Sequence, residues 1–290
     1  MHSLMLVMGI ALACGVRWGW RGGQGNLSQR WSHTLTLFLF PPLFLVMTAI
    51  AVLCMGPSGQ MLGHWEGGFS YDLALGFVLW AIATGGSLAW QAYQSVQRIQ
   101  ACPQIEVQGQ KVRLLDTSLP YSAQIGWWRS QLVVSRGLLT HLDAEHLTAV
   151  LTHEHAHAHY RDPFWFFALG WLRRVTAWLP GTETLWQDLL MLRELRADRY
   201  AAQFVDPLVL AESLLTVVSV AAGHSQPLAA EVSQPETCAA FGWVGACDRL
   251  TERIDAILET PPTVNPQPFS SLLWLVGILL PFILVPLHVR

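Results

Sequence analysis

Long uncharged apolar runs alternate with one extended stretch of mixed polarity, and that contrast organises the chain. Four runs, residues 4–16, 33–55, 73–93 and 269–287, approach the ~20 residues that a helix needs to cross a bilayer. The first is short. The second carries Pro41 and Pro42, which suit a helix start or a kink. The fourth is interrupted by Pro281 and Pro286. As buried helices of a large soluble protein, three of these runs would be unusually long and free of charge. The pattern therefore predicts a mainly α integral membrane protein with about four transmembrane helices and an α+β domain between the third and fourth. The regions are expected at 1–97, with three spans, 98–268, the mixed domain, and 269–290, the last span.

Within the mixed domain, residues 106–115 read as a strand or hairpin turning at Gly109, and 131–135 read as a second strand. Asp143 is placed to cap a helix running to about Asp162, where Pro163 would stop it. A second helix is predicted over 185–204, ended by Asp206 and Pro207. The apolar run 164–179 is broken by Arg173 and Arg174 and is too short to span. It suits an interfacial helix with tryptophans at headgroup depth, or buried core. A proline-rich polar stretch, 260–268, leads into the last run.

Composition agrees with a membrane setting. The chain is 52% hydrophobic and only 13% charged, with 14 Trp and a single lysine, Lys111, whereas soluble domains run near ~25% charged. A net charge of -3 without a basic run speaks against a nucleic-acid partner. Arg17, Arg21 and Arg30 follow the first run, none lies in 56–70, and Arg98, Lys111 and Arg113 follow the third. By the positive-inside rule the N-terminus lies outside and 98–268 is cytoplasmic, as in a bacterial inner membrane. The first run lacks a positive n-region and reads as a retained span rather than a signal peptide. The five cysteines have no zinc-site spacing, and a Cys238–Cys247 bridge would need an oxidising compartment.

Chemistry concentrates at His153-Glu154-His155-Ala156-His157. Residues four apart on a helix differ by about 40° around its axis, so His153 and His157 project together and can share one zinc ion. Glu154 lies about 100° round, within reach of a water beside that ion, and can act as its base. Leu147, Val150, Leu151 and Ala158 share the same side, so the ligands face the interior. A histidine-rich solvated helix without metal is the competing reading, and it suits the offset pair His155 and His159. A catalytic zinc keeps three protein ligands and one open position. Glu194 is the best third ligand, with Asp198 on the same helical face available to orient a ligand histidine, as is Asp162. In isolation, Glu194 among Arg193, Arg196 and Arg199 also reads as a salt-bridged surface helix.

The order of spans, strand segment, LTHEHAHAHYRDP and LRELRADRYAA resembles the BlaR/MecR antirepressor type of membrane zinc metallopeptidase. The resemblance extends more distantly to the HtpX and CAAX prenyl protease group. It implies a zincin-like domain binding one Zn2+ through His153, His157 and Glu194, with Glu154 as catalytic base and Asp198 behind the ligands. The stretch PYSAQIGWWRSQLVVSRGLL is similar to the family's strand pair, whose edge strand aligns substrate by backbone pairing. That would put Ser122, Ala123 and Gln124 on the edge; an ordinary buried hairpin is the alternative. Only three residues follow the fourth run, so a penicillin-binding domain is not expected. Cys247-Asp248 stands where HtpX-like members have His-Pro. Arg253 is then a candidate transition-state stabiliser, or a structural ion pair.

The functional expectation is a membrane zinc endopeptidase acting on cytoplasmic or membrane-proximal proteins, with peptide substrate and membrane lipid as partners and the oligomeric state open. A non-catalytic membrane sensor or scaffold competes, its zinc structural and closed by a fourth ligand such as His224. A transporter is disfavoured, because apart from Asp72 the runs hold no carboxylate to mark an ion path.

Overall fold

A computed structural model describes residues 2–19, 25–57, 60–61, 64–65, 68–222, 239–240, 246–259 and 277–289. The chain divides into two compact units. One combines Met1–Ser87, Trp171–Leu189 and Val264–Arg290; the other combines Leu88–Gly170 and Leu190–Thr263. These divisions differ from the borders expected at 97/98 and 268/269, because the end of the third apolar run joins the mixed domain while 171–189 joins the apolar unit.

In the apolar unit, helix α1 covers His2–Trp18 and α2 covers Leu27–Met55. Helix α2 begins earlier than its apolar run because a capping box starts it: the Asn26 side chain accepts from the Gln29 N–H, and the Gln29 side chain accepts from the Asn26 N–H. Pro41 and Pro42 lie inside α2 rather than at its start. Proline has no N–H, so Pro42 frees the Phe38 carbonyl four residues back. Arg17, buried at the end of α1, donates to that carbonyl at 3.1 Å and to the Thr182 hydroxyl at 3.1 Å. Strands β1, Gln60–Met61, and β2, His64–Trp65, pair with each other, and β1 also pairs with His288–Val289.

Among the described residues, two helices are long and apolar enough to cross a membrane, α2 and α3, the latter spanning Gly68–Ala101. Helix α1 is apolar but has only 17 residues. The fourth expected span lies partly outside the described residues. Its described part is a short α-helical stretch, 277–279, followed by a 3-10 helix, Leu280–Leu287, with Pro286 inside, so four long α-helical spans are not observed among the described residues.

The second unit is built on a five-stranded sheet. Strands β3, Gln104–Val107, and β4, Gln110–Leu115, form a hairpin through Gln108 and Gly109, with φ of 49° and 78°. Two successive positive φ values are what a tight two-residue hairpin turn demands. Strands β5, Ser122–Ile125, β6, Gln131–Ser135, and β7, Ala239–Ala240, complete the order β3-β4-β6-β5-β7, with β4 and β6 parallel and the other pairs antiparallel. Helix α4, Arg136–His141, follows β6 directly. A Cβ on Gly137 would lie 2.1 Å from the Ser118 carbonyl oxygen, so only glycine fits there.

Helix α5, Ala144–His159, starts at Asp143, whose carboxylate accepts from the N–H groups of Glu145 and His146 at 3.0 Å. It ends before Asp162 because Arg161 turns the chain with φ of 55°. Helix α6, Asp162–Val175, then begins, and Pro163 sits in its first turn, where a missing N–H costs nothing. Pro163 thus opens a helix instead of stopping one. Helices α7, Thr182–Ala201, α8, Pro207–Ala222, and α9, Ala246–Leu258, follow. Val134, Leu138, Val150, Leu151, Leu210 and Leu214 make the core that holds α5 between the sheet and α8.

Candidate metal centre

Helix α5 carries the two histidines on its inward face, and both are fully buried together with Glu154. Helix α7 brings Glu194 to them. His153 Nε2 lies 3.2 Å from His157 Nε2, and Glu194 offers Oε2 at 3.4 Å from the first and Oε1 at 3.8 Å from the second. Donor atoms from all three residues lie within 4.8 Å of one another.

The other ring nitrogens decide what those Nε2 atoms can do. His153 Nδ1 is 2.8 Å from Asp198 Oδ1, and His157 Nδ1 is 2.8 Å from Asp162 Oδ2. A carboxylate only accepts, so each Nδ1 must carry a proton, and whenever the ring is neutral its Nε2 lone pair turns inward. Two lone pairs and a carboxylate oxygen facing one another repel unless a proton or a metal ion lies between them. Two nitrogens each about 2.05 Å from one tetrahedral zinc would stand roughly 3.3 Å apart, close to the separation found here. Oε2 of Glu194 is buried with no partner in hydrogen-bonding geometry, as is Oε2 of Glu154. The donor set fits zinc.

A ring of charge surrounds these residues. Arg253 on α9 holds Asp198 with two bonds, from Nε at 2.7 Å and Nη2 at 2.8 Å, while its Nη1 lies 3.5 Å from Glu194 Oε2. Arg193 donates twice to Glu194 Oε1, at 2.9 and 2.7 Å. Arg196 donates to Asp162 and lies over the Tyr160 ring. The Ser122 hydroxyl on β5 donates to Glu154 Oε1 at 2.8 Å. Four carboxylates (Glu154, Asp162, Glu194, Asp198) thus face three guanidinium groups, an arrangement that accommodates one more cation.

The protonation tendencies agree. Burial would depress the His153 pKa, but Asp198 and then Glu194 draw it up to about 9, so the pocket favours positive charge at that ring. Burial would raise Glu194, yet Arg193 foremost holds it well below the usual carboxylate range. Asp198 is likewise held low, burial being outweighed by Arg253 and His153. Glu154 goes the other way: burial pushes its pKa up, and His157, His153 and the Ser122 hydroxyl only partly oppose the rise. A carboxyl whose proton is easily regained is what general acid–base work needs.

The fold therefore brings His153, Glu154, His157, Glu194, Asp198, Asp162, Ser122 and Arg253 to one place. Ala123 and Gln124 are buried on β5, but β5 is not a free edge. It pairs with β6 on one side and with β7 on the other, Ala123 opposite Ala240 and Gln124 opposite Ala239. The free edge expected from the sequence is thus already taken by a later part of the chain. His155 and His159 point outward, against Tyr200, whose hydroxyl is 3.3 Å from His155 Nδ1. His224 and Cys238 lie outside the described residues.

Sequence reasoning missed the Ser122 hydroxyl, which it valued only for its backbone. It also missed Arg193 and Arg196, which it weighed as surface ion-pair partners. Only Arg193 carried a local signal, its place beside Glu194; Arg196 meets Asp162, 34 residues away, which no local pattern announces.

No curated protein matches the chain. Residues 94–188 match peptidase family M48. The matched stretch contains Ser122, all of α5 and Asp162 and ends before Glu194, and it supports a zinc-dependent metallopeptidase.

Proposed function

We propose that the protein is a membrane-embedded zinc endopeptidase cleaving cytoplasmic or membrane-proximal proteins, in an antirepressor-like or quality-control role. The observation that carries the reading is the convergence of two inward Nε2 atoms and the Glu194 carboxylate beside Glu154, a base positioned by Ser122. His153, His157 and Glu194 would hold the ion. Zinc bound there supplies Lewis-acid polarisation of a peptide carbonyl and acidification of a water molecule. Hydrolysis adds water across the C–N bond, so one proton must leave the water and one must reach the departing amine. Glu154 takes the first and delivers the second. Asp198 and Asp162 hold the rings in the tautomer that leaves Nε2 free, and Arg253, occupied by Asp198, is a positioning residue. The apolar helices α2 and α3 support the membrane setting, and the arginine distribution supports a cytoplasmic site.

The sensor or scaffold reading requires a fourth protein ligand, and no such group lies with the three among the described residues. The test is zinc content and casein hydrolysis of the detergent-purified full chain beside Glu154→Gln. About one zinc per chain in both proteins, with turnover lost only in the variant, is the expected result. Hydrolysis surviving in Glu154→Gln would refute the assignment of the base.

A further inference from the structure

Where the apolar run of α3 gives way to polar residues, the second unit contains an open cavity of about 430 Å³. One wall is α3 itself, through Tyr93, Val96, Ile99 and Gln100; the other is the end of β5 and the β5–β6 turn, through Ile125, Trp127 and Arg129. The turn is built, not slack. Gly126 has a φ of 132°, and a Cβ there would lie 2.7 Å from the Arg129 carbonyl oxygen. Trp127 packs on Phe167 at 4.4 Å, and Trp128 meets Phe164 edge-on at 5.4 Å beneath the Arg161 guanidinium.

Three features point to one occupant. The α3 wall runs about 10 Å along the helix axis from Tyr93 to Gln100, starting where the apolar run stops. If α3 crosses the bilayer, as the proposed membrane setting requires, this wall lies in the headgroup layer. Aromatic residues that prefer that depth line or flank it: Trp90 and Tyr93 stack at 5.8 Å and are 60% and 54% exposed, and Trp128 is 71% exposed. Finally, the cavity lining holds one cation, Arg129, and no carboxylate. The Arg129 guanidinium is exposed and makes no ion pair or hydrogen bond among the described residues.

We infer that this groove binds an anionic phospholipid. Its phosphate is held by Arg129, and its glycerol and first methylenes lie against Tyr93, Val96 and Trp127. A guanidinium presents paired donors to phosphate oxygens, and an aromatic, apolar floor suits the ester and acyl region. Because Ile125 and Gly126 continue directly from Ser122, lipid would sit at the far end of the strand that touches Glu154.

The test uses the full-length Glu154→Gln protein in maltoside, with chelator present, so that neither zinc nor turnover enters. Affinities for dioctanoyl phosphatidylglycerol and dioctanoyl phosphatidylcholine are read by native mass spectrometry. The expected result is a preference for phosphatidylglycerol of about five- to tenfold that Arg129→Gln abolishes. Trp127→Ala should weaken both lipids, and Arg136→Gln, an exposed charge removed elsewhere, should change neither. Equal affinities before substitution would overturn the inference. So would a loss in Arg129→Gln no larger than in Arg136→Gln, or displacement of the lipid by an uncharged casein-derived peptide, which would make the groove a substrate channel. Lipid selectivity without zinc binding would sink the peptidase reading alone; zinc-dependent hydrolysis without selectivity would sink this inference alone.

Discussion

Replacing Arg253 by methionine separates positioning from direct participation in the reaction. Arg253 is 6% exposed and gives two short bonds to Asp198, which is itself 2% exposed and holds His153 Nδ1. Methionine fills similar volume, so little of the effect comes from an empty space. What is lost is the partner of a buried carboxylate, at a cost of about 3–5 kcal/mol. For a folding unit of this size each kcal/mol lowers Tm by about 2–4 °C, so a fall of roughly 6–20 °C is expected. With Asp198 no longer anchored, His153 is less firmly oriented and zinc affinity should fall about 10- to 100-fold. At saturating zinc most of the turnover should return. The assays are thermal unfolding of the detergent-solubilised chain, zinc competition against a chromogenic chelator, and kcat with excess zinc. An unchanged Tm and zinc affinity, with kcat about 100-fold lower at saturating zinc, would refute the positioning role and make Arg253 a group that meets the reacting atoms.

Other substitutions probe the remaining partners. Asp162→Asn removes the charge that holds His157 Nδ1 and pairs with Arg196, and should weaken zinc binding about tenfold in the same competition assay; undiminished affinity would count against its role. Ser122→Ala removes a hydrogen bond that favours ionised Glu154. Since the base must be ionised to work, kcat/KM falls as pH drops through the Glu154 pKa, and that acid limb should move to higher pH in the variant; a limb that stays or moves lower would contradict the assignment. Proline at both Ala239 and Ala240 removes whichever of the two N–H groups faces β5, since neighbouring residues of a strand point theirs to opposite sides, and should loosen the hold of β7 on β5. If β5 seats substrate, hydrolysis of an added peptide should rise by up to about tenfold, and an unchanged rate would show that peptides do not bind there.

Much of the local structure was legible because it depends on neighbours in sequence. The β3–β4 hairpin turns at Gly109, and Asp143 caps α5, because both features are satisfied within a few residues. Boundaries set by distant groups were not legible. Pro42 can stand inside α2 because Arg17, some 20 residues earlier, serves the carbonyl that Pro42 leaves without a donor. The end of α5 depends on the positive φ of Arg161, which no side-chain pattern announces. Pro163 then appears as a terminator when read forwards, although it serves as the first turn of α6.

The candidate site divides in the same way. His153, Glu154 and His157 follow from helical spacing, which is a local property. Glu194 follows from the chemical requirement for a third ligand, but its company does not, because the same Arg-rich segment describes a solvated helix equally well. What separates the two is burial: Arg193 is 5% exposed, and a guanidinium rarely goes inside unless a carboxylate goes with it. The segment thus carries its own neutralising charges into the interior, one arginine for Glu194 and one for Asp162, while Asp198 takes its partner from α9, more than fifty residues on. The three short segments on α5, α7 and α9 are therefore interdependent. A change of charge in any one leaves an unpaired ion beside the histidines, and that dependence, more than the two-histidine motif alone, distinguishes a built metal centre from a histidine-rich helix.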